Sequence, residues 1–274
     1  MAKAKRTKLR TPHAKPYQRS GKADPKLATS SNKDKHSKPA PLPAPTIPFL
    51  PADYVLLVGE GDFSFSRSLL ETYGCSSLVA TSFDTQAALW AKYPQASSHI
   101  RALEEEDCKV LYGVDATKLG KPGTLDGGGK DVKKGGFNKV VFNFPHVGGL
   151  TKDVNRQVRH NQELLVDFFK SALPLLAGGG SIIVTIFEGE PYDLWNIRDI
   201  ARHVGLKAGR SFRFQASAYP GYKHARTLGN IEGGGGWKGE NRPARSYILE
   251  VNEKEAQPIT NNKKKTDGSD SEDA

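Results

Sequence analysis

The chain has 274 residues, 40 Lys and Arg against 30 Asp and Glu, and a formal net charge of +10, a length that allows one substantial core plus tails. Cys75 and Cys108 are its only cysteines, with no paired spacing and no histidine cluster beside them, so neither a disulfide framework nor a metal site is supported. The longest apolar run, residues 182–187, is too short to span a bilayer and the N-terminus lacks an apolar signal region, so the expectation is a soluble protein of a reducing intracellular compartment without a membrane partner.

Residues 1–40 carry twelve Lys or Arg against only Asp24 and Asp34. With almost no large apolar side chains to offset the entropy of ordering, they are predicted to be a disordered basic arm. Such an arm serves as a nonspecific polyanion ligand or as a nuclear address. Prolines recur through residues 41–52 and predict a stiff linker. From residue 53 to 251 short apolar runs alternate with helix-like stretches, the signature of an α/β domain with a mostly parallel seven-stranded sheet covered on both faces. Strands are predicted at 54–58, 77–83, 109–114, 139–144, 181–187, 212–216 and 246–251. Helices are predicted at 63–73, 86–93, 100–106, 153–176 and 194–203, the long one ended by Gly178-Gly179-Gly180. Residues 120–136 are rich in Gly and Lys without a hydrophobic period and predict a flexible insertion. Residues 252–274 predict a disordered charged tail.

The first strand runs into Gly59-Glu60-Gly61-Asp62-Phe63-Ser64-Phe65-Ser66, with a helix starting almost at once. In an open parallel sheet, ligands bind beyond the carboxyl ends of the strands, where glycines let the backbone approach a cofactor. A dinucleotide loop would want a third glycine where Ser64 stands, which counts against NAD. Glu60 and Asp62 instead favour a cationic cofactor such as S-adenosylmethionine. Asp84, at the second strand end, is placed to accept from ribose hydroxyls, and Asp115, at the third, from an adenine amino group. Taken singly, each of these aspartates also reads as a turn former or helix cap.

The fourth strand closes on Asn143-Phe144-Pro145-His146. An amide that donates and accepts, a ring that stacks and a fixed turn suit a planar nucleobase, and His146 is a candidate general base or positioning partner. Residues 219–229 mix Tyr219, Tyr222, Lys223, His224 and Arg226, a stacking and cationic set that fits RNA or else a hairpin over the sheet.

The strings Val55-Leu-Leu-Val-Gly-Glu-Gly-Asp-Phe-Ser-Phe-Ser66, Asn143-Phe-Pro-His-Val-Gly-Gly149, Asn161-Gln-Glu-Leu-Leu165 and Tyr219-Pro-Gly-Tyr-Lys-His-Ala-Arg-Thr-Leu-Gly229 closely resemble the fungal 25S rRNA uridine-N3 methyltransferase family. The resemblance covers roughly residues 53–251. It implies a Rossmann-like, S-adenosylmethionine-dependent enzyme of the nucleolus that modifies one uridine of large-subunit rRNA, with rRNA or a pre-ribosomal particle as partner. It implies that Gly59, Gly61, Asp62, Phe63 and Ser64 frame the cofactor and that Asn143, Phe144, Pro145 and His146 face the base. A noncatalytic ribosome-assembly factor that keeps the cleft and binds RNA is the alternative, and cofactor binding discriminates the two.

Overall fold

A computed structural model describes residues 44–125, 135–230 and 239–252. The described residues all fall within one unit, Ala44–Ala274. The expected basic arm, most of the Gly/Lys insertion and nearly all of the charged tail lie outside the described residues.

Val55–Val58 (β1) consists of four apolar residues, all buried. Successive strand side chains point to opposite faces, so Val55 and Leu57 enter one core while Leu56 and Val58 enter another. An uninterrupted apolar run is what a central strand covered on both sides requires. Leu78–Thr81 (β2), Lys109–Leu111 (β3), Phe137–Asn143 (β4), Leu176–Phe187 (β5), Leu206–Phe214 (β6) and Ala244–Val251 (β7) complete one sheet. Its strand order is β3-β2-β1-β4-β5-β7-β6, with β7 antiparallel to both neighbours and the other pairings parallel.

Ser64–Tyr73 (α1), Gln86–Lys92 (α2) and Ala96–Glu105 (α3) cover one face through Phe65, Leu69, Leu89, Ile100 and Leu103. Val154–Ala172 (α4) and Ile197–His203 (α5) cover the other through Val158, Leu165, Phe168, Phe169 and Ile197. Asp153 caps α4, its carboxylate accepting from the Arg156 N–H at 2.9 Å. Among the described residues no helix is long and apolar enough to cross a membrane. The direction of chain progression across the sheet reverses between β1 and β4, so the crevice for a ligand opens there.

The α/β architecture and all seven strands appear as expected, with differences in their bounds, among them β3 ending at Leu111 rather than 114 and α5 starting at Ile197 rather than 194. The long helix ends at Ala172 rather than 176, and β5 begins at Leu176, so Gly178 to Gly180 lie within a strand. β6 starts at Leu206 rather than 212, because an exposed edge strand carrying Lys207 and Arg210 shows no apolar alternation. The helix expected over 100–106 starts at Ala96. The end of the expected linker is docked: Phe49 is buried, its ring 6.2 Å from that of Phe65.

Candidate active site

Gly59 ends β1 with φ +70°, and a Cβ there would lie 2.6 Å from the Phe142 ring of the adjoining strand, so this turn admits only glycine. Two non-glycine residues on facing loops also have left-handed backbone, Phe63 at φ 62° and Phe144 at φ 52°. Such conformations cost about 1–3 kcal/mol each and persist where packing over-determines them. Phe63 is fully buried, edge-on to Tyr112 at 6.4 Å.

The carboxylates of the glycine loop are both buried. Glu60 Oε2 accepts from Ser66 Oγ at 2.8 Å and from Ser66 N at 3.3 Å. Burial pushes the Glu60 carboxyl up to about 7, against the Ser66 hydrogen bonds and with help from the charge of Asp62. Asp62 accepts from Ser64 N at 3.0 Å at the start of α1 and from Gln95 Nε2 at 3.2 Å. Beyond β2, Asp84 is held by Lys92 Nζ at 2.6 and 2.9 Å. Beyond β3, Asp115 accepts from Thr117 N at 2.9 Å and Lys118 Nζ at 2.6 Å. Burial raises its carboxyl, but the bonds from Lys118 and Thr117 outweigh this and hold it below the usual range.

At the end of β4, Asn143 pairs in register with Thr185 of β5, and its Nδ2 is buried without a hydrogen-bond partner among the described residues. Phe144 N donates to Thr185 O at 2.7 Å, which carries the chain out of the sheet. The Phe144 ring lies 4.6 Å from Phe187 and 4.4 Å from His224. Asn161 of α4 accepts from Val147 N at 3.1 Å and so fixes the loop. His146 Nδ1 accepts from Gly148 N at 2.8 Å, and burial lowers the imidazole pKa. Both features oppose a proton on Nδ1, so the ring is neutral with its hydrogen on Nε2.

One cavity of about 770 Å³ joins these groups. Its lining includes Gly59, Glu60, Gly61, Asp62, Asp84, Asp115 and all of Asn143 to His146. Phe63 and Ser64 do not line it; they shape the turn. Ser64 Oγ accepts from Lys223 N at 3.1 Å and ties the turn to the 219–229 loop.

That loop is a fastened strap. The Tyr93 hydroxyl donates to the Arg226 carbonyl, Asn230 Nδ2 donates to Gln95 Oε1 at 2.8 Å, and a Cβ on Gly61 would lie 2.5 Å from that of Ala225. Tyr222, Lys223, His224 and Arg226 line the cavity, Tyr222 and His224 turned toward the buried aromatic cluster. Burial drops His224 to about 4. Tyr219, expected to stack on RNA, is buried instead, its ring parallel to Phe214 at 5.4 Å and 4.7 Å from Phe65. A phenol ring committed to the core cannot also stack on a base, so the RNA expectation fails for this residue.

The lining residues that the sequence did not single out include Tyr93, Tyr192, Trp195 and Arg242. These four come from α2's end, the β5–α5 connection and the turn before β7, segments with no motif; only the aromatic spacing of Tyr192 and Trp195 just after β5 marked a strand-end position. Among the described residues no group of three or more His, Cys, Asp or Glu is placed to hold a metal ion.

A mostly parallel seven-stranded sheet with antiparallel β7, whose cofactor-sized cavity is framed by a Gly-x-Gly turn and acidic strand ends, defines a Rossmann-like methyltransferase. The family model described as BMT5-like, rRNA (uridine-N3-)-methyltransferase BTM5-like, matches residues 56–226, and the chain belongs to that family. It is 32% identical over 250 residues to the 25S rRNA (uridine(2634)-N(3))-methyltransferase of Saccharomyces cerevisiae, covering 74% of each chain. It is 34% identical over 174 residues to heavy metal-associated isoprenylated plant protein 41 of Arabidopsis thaliana, covering 63% of this chain and 32% of that one. It is also 34% identical over 181 residues to the ferredoxin-fold anticodon-binding domain-containing protein 1 homolog of Mus musculus, covering 62% and 27%. This chain thus spans most of the yeast relative but a third or less of the other two.

Proposed function

We propose that the chain methylates N3 of a uridine in large-subunit rRNA, with S-adenosylmethionine as donor, during ribosome biogenesis in the nucleolus. The family and the activity for which the yeast relative is named support the reaction. The observation that carries the reading is the single cavity in which acidic ends of β1, β2 and β3 face the Asn-Phe-Pro-His turn of β4.

The donor set fits the cofactor. Four carboxylates line the cavity, and a sulfonium, an amino group, two ribose hydroxyls and an adenine amine need such acceptors. Asp84 would take the ribose and Asp115 the adenine, each keeping free lone pairs beside its present partners; Glu60 and Asp62 would face the positive charge, Gly59 and Gly61 giving the backbone room. Bound there, S-adenosylmethionine supplies an electrophilic methyl group. What remains for the protein is orientation and exclusion of water. Phe144 and Asn143 orient the base, and because uracil N3 is a pairing position, the nucleotide must be unpaired or flipped to enter. Lys223 and Arg226, at the cavity edge on the strap, would meet the RNA backbone, together with the basic arm.

Calorimetry with S-adenosylmethionine, followed by tritium transfer to unmodified large-subunit rRNA and mass spectrometry of its nucleosides, tests the proposal. N3-methyluridine is the expected product; binding without transfer would instead support the assembly-factor alternative. Asp84→Ala is expected to weaken cofactor binding roughly 10- to 100-fold, as loss of charge-assisted hydrogen bonds implies, and an unchanged affinity would remove Asp84 from the ribose site.

A further inference from the structure

The same cavity also carries a set of groups with the reverse chemistry. Aromatic rings follow one another along the ends of β4 and β5: His146 to Trp195 at 6.2 Å, Trp195 to Tyr192 at 5.2 Å, Tyr192 to Phe187 at 5.3 Å and Phe187 to Phe144 at 4.6 Å. Arg242 lies over this wall, its guanidinium 4.2 Å from the Phe187 centroid and 5.4 Å from that of Tyr192. It is half-buried, lines the cavity and forms no ion pair among the described residues.

The wall carries further donors beside Arg242. Asn143 Nδ2 and Trp195 Nε1 are buried N–H groups with no acceptor among the described residues. His146 Nδ1 is engaged by the Gly148 N–H, which leaves Nε2–H as the ring's free group. A buried donor without a partner costs about 1–3 kcal/mol, so these groups gain from an acceptor atom that a small side-chain movement brings within reach. A guanidinium on aromatic faces adds full positive charge where water is sparse.

Uracil matches this wall. Its N3–H is flanked by two carbonyl oxygens, and loss of the N3 proton spreads negative charge onto both. Cytosine and adenine carry an exocyclic amine beside the corresponding ring nitrogen and would set donor against donor. We propose that Arg242, with His146 Nε2–H and the Asn143 amide, forms a donor cradle that selects an imide-bearing base and holds it as its N3 anion. The inference rests on the reading of this cavity as a methyltransferase site for a nucleobase. The N3 proton passes to solvent water or hydroxide as the base settles, and the negative charge develops on the two cradled oxygens. The N3 electron pair then forms the N–CH3 bond, while the pair of the broken C–S bond stays on sulfur. His146 is thereby a hydrogen-bond donor to the acceptor base and not its proton acceptor.

The test uses single-turnover tritium transfer to two large-subunit rRNA transcripts, one made with uridine and one with 5-fluorouridine, whose N3 is the more acidic. Arg242→Gln is expected to slow transfer to the uridine transcript about 100-fold, as removal of a charge-stabilising donor does. On the fluorinated transcript the defect is expected to shrink at least several-fold, because an acidic base needs less help to ionise. His146→Ala is expected to show a smaller loss with the same narrowing. Calorimetry should find S-adenosylmethionine affinity unchanged in both variants, which also reports an intact fold. A wild-type protein active on both transcripts with Arg242→Gln and His146→Ala equally slowed on each, or not slowed at all, would overturn the cradle alone. A wild type that transfers to neither would overturn the underlying function and the cradle with it.

Discussion

Gly59→Ala is expected to destabilise the protein by about 3 kcal/mol and to abolish measurable cofactor binding. Two costs add. Alanine at φ +70° pays about 1–2 kcal/mol for left-handed backbone. Its Cβ would also stand 2.6 Å from Phe142, whose ring is held edge-on to Phe168 at 5.0 Å in the core beneath, so relief requires overpacking at about 1–3 kcal/mol. Gly61→Ala provides the contrast. Gly61 has no positive φ, and the atom in its way is the Ala225 methyl on the strap. The strap can shift, so the expected stability loss is under about 1 kcal/mol, while the cofactor affinity still falls because the shift occurs over the cleft. Urea unfolding of the two variants, with m-values checked for constancy, separates these cases. Equal stability of Gly59→Ala and wild type would show that the turn tolerates a side chain.

The residues at which the sequence was legible share one property: their local pattern and their tertiary role coincide. Val55–Val58 reads as a buried strand because it is one, and Gly59, Asp84, Asp115 and Asn143 follow apolar runs, so that once the runs pair in parallel their ends meet. Gly178 to Gly180 misled because glycine is a helix terminator by local rules. Here Gly180 is needed for close backbone approach, since a Cβ would lie 2.7 Å from the Phe137 carbonyl oxygen at the irregular β4–β5 pairing. Tyr219 misled in the opposite sense: its neighbours are polar and cationic, but α1 and β6 bring Phe65 and Phe214 against its ring. Trp195 and Arg242 stand 47 residues apart, and only the placement of β7 beside β5 brings their segments to one wall. Periodicity contains no information about that pairing.

Glu60→Gln is expected to make the free protein more stable at alkaline pH and a weaker cofactor binder. Glu60 is buried, and its carboxyl titrates near 7 in the folded chain against 4.5 as the ordinary value. Between those two pH values the folded state holds a proton that the unfolded state has released. Stability therefore falls as pH rises through this window, by about 1.4 kcal/mol per unit and roughly 3 kcal/mol in all, and is flat above it. Glutamine resembles the protonated acid and keeps an oxygen for Ser66, so the variant should lack this fall: equal to wild type near pH 4 and more stable by up to about 3 kcal/mol at pH 8. Near neutrality the ionised form carries that cost, and a cation placed beside it would offset it. Binding of the sulfonium donor should pull the Glu60 pKa down and release a fraction of a proton near pH 6, seen as buffer-dependent enthalpy in calorimetry. The Gln variant should release none and bind more weakly. Proton release that survives the substitution would place the ionisation elsewhere in the cleft, and a variant no more stable than wild type at pH 8 would mean that Glu60 is solvated well enough to ionise at its ordinary pKa.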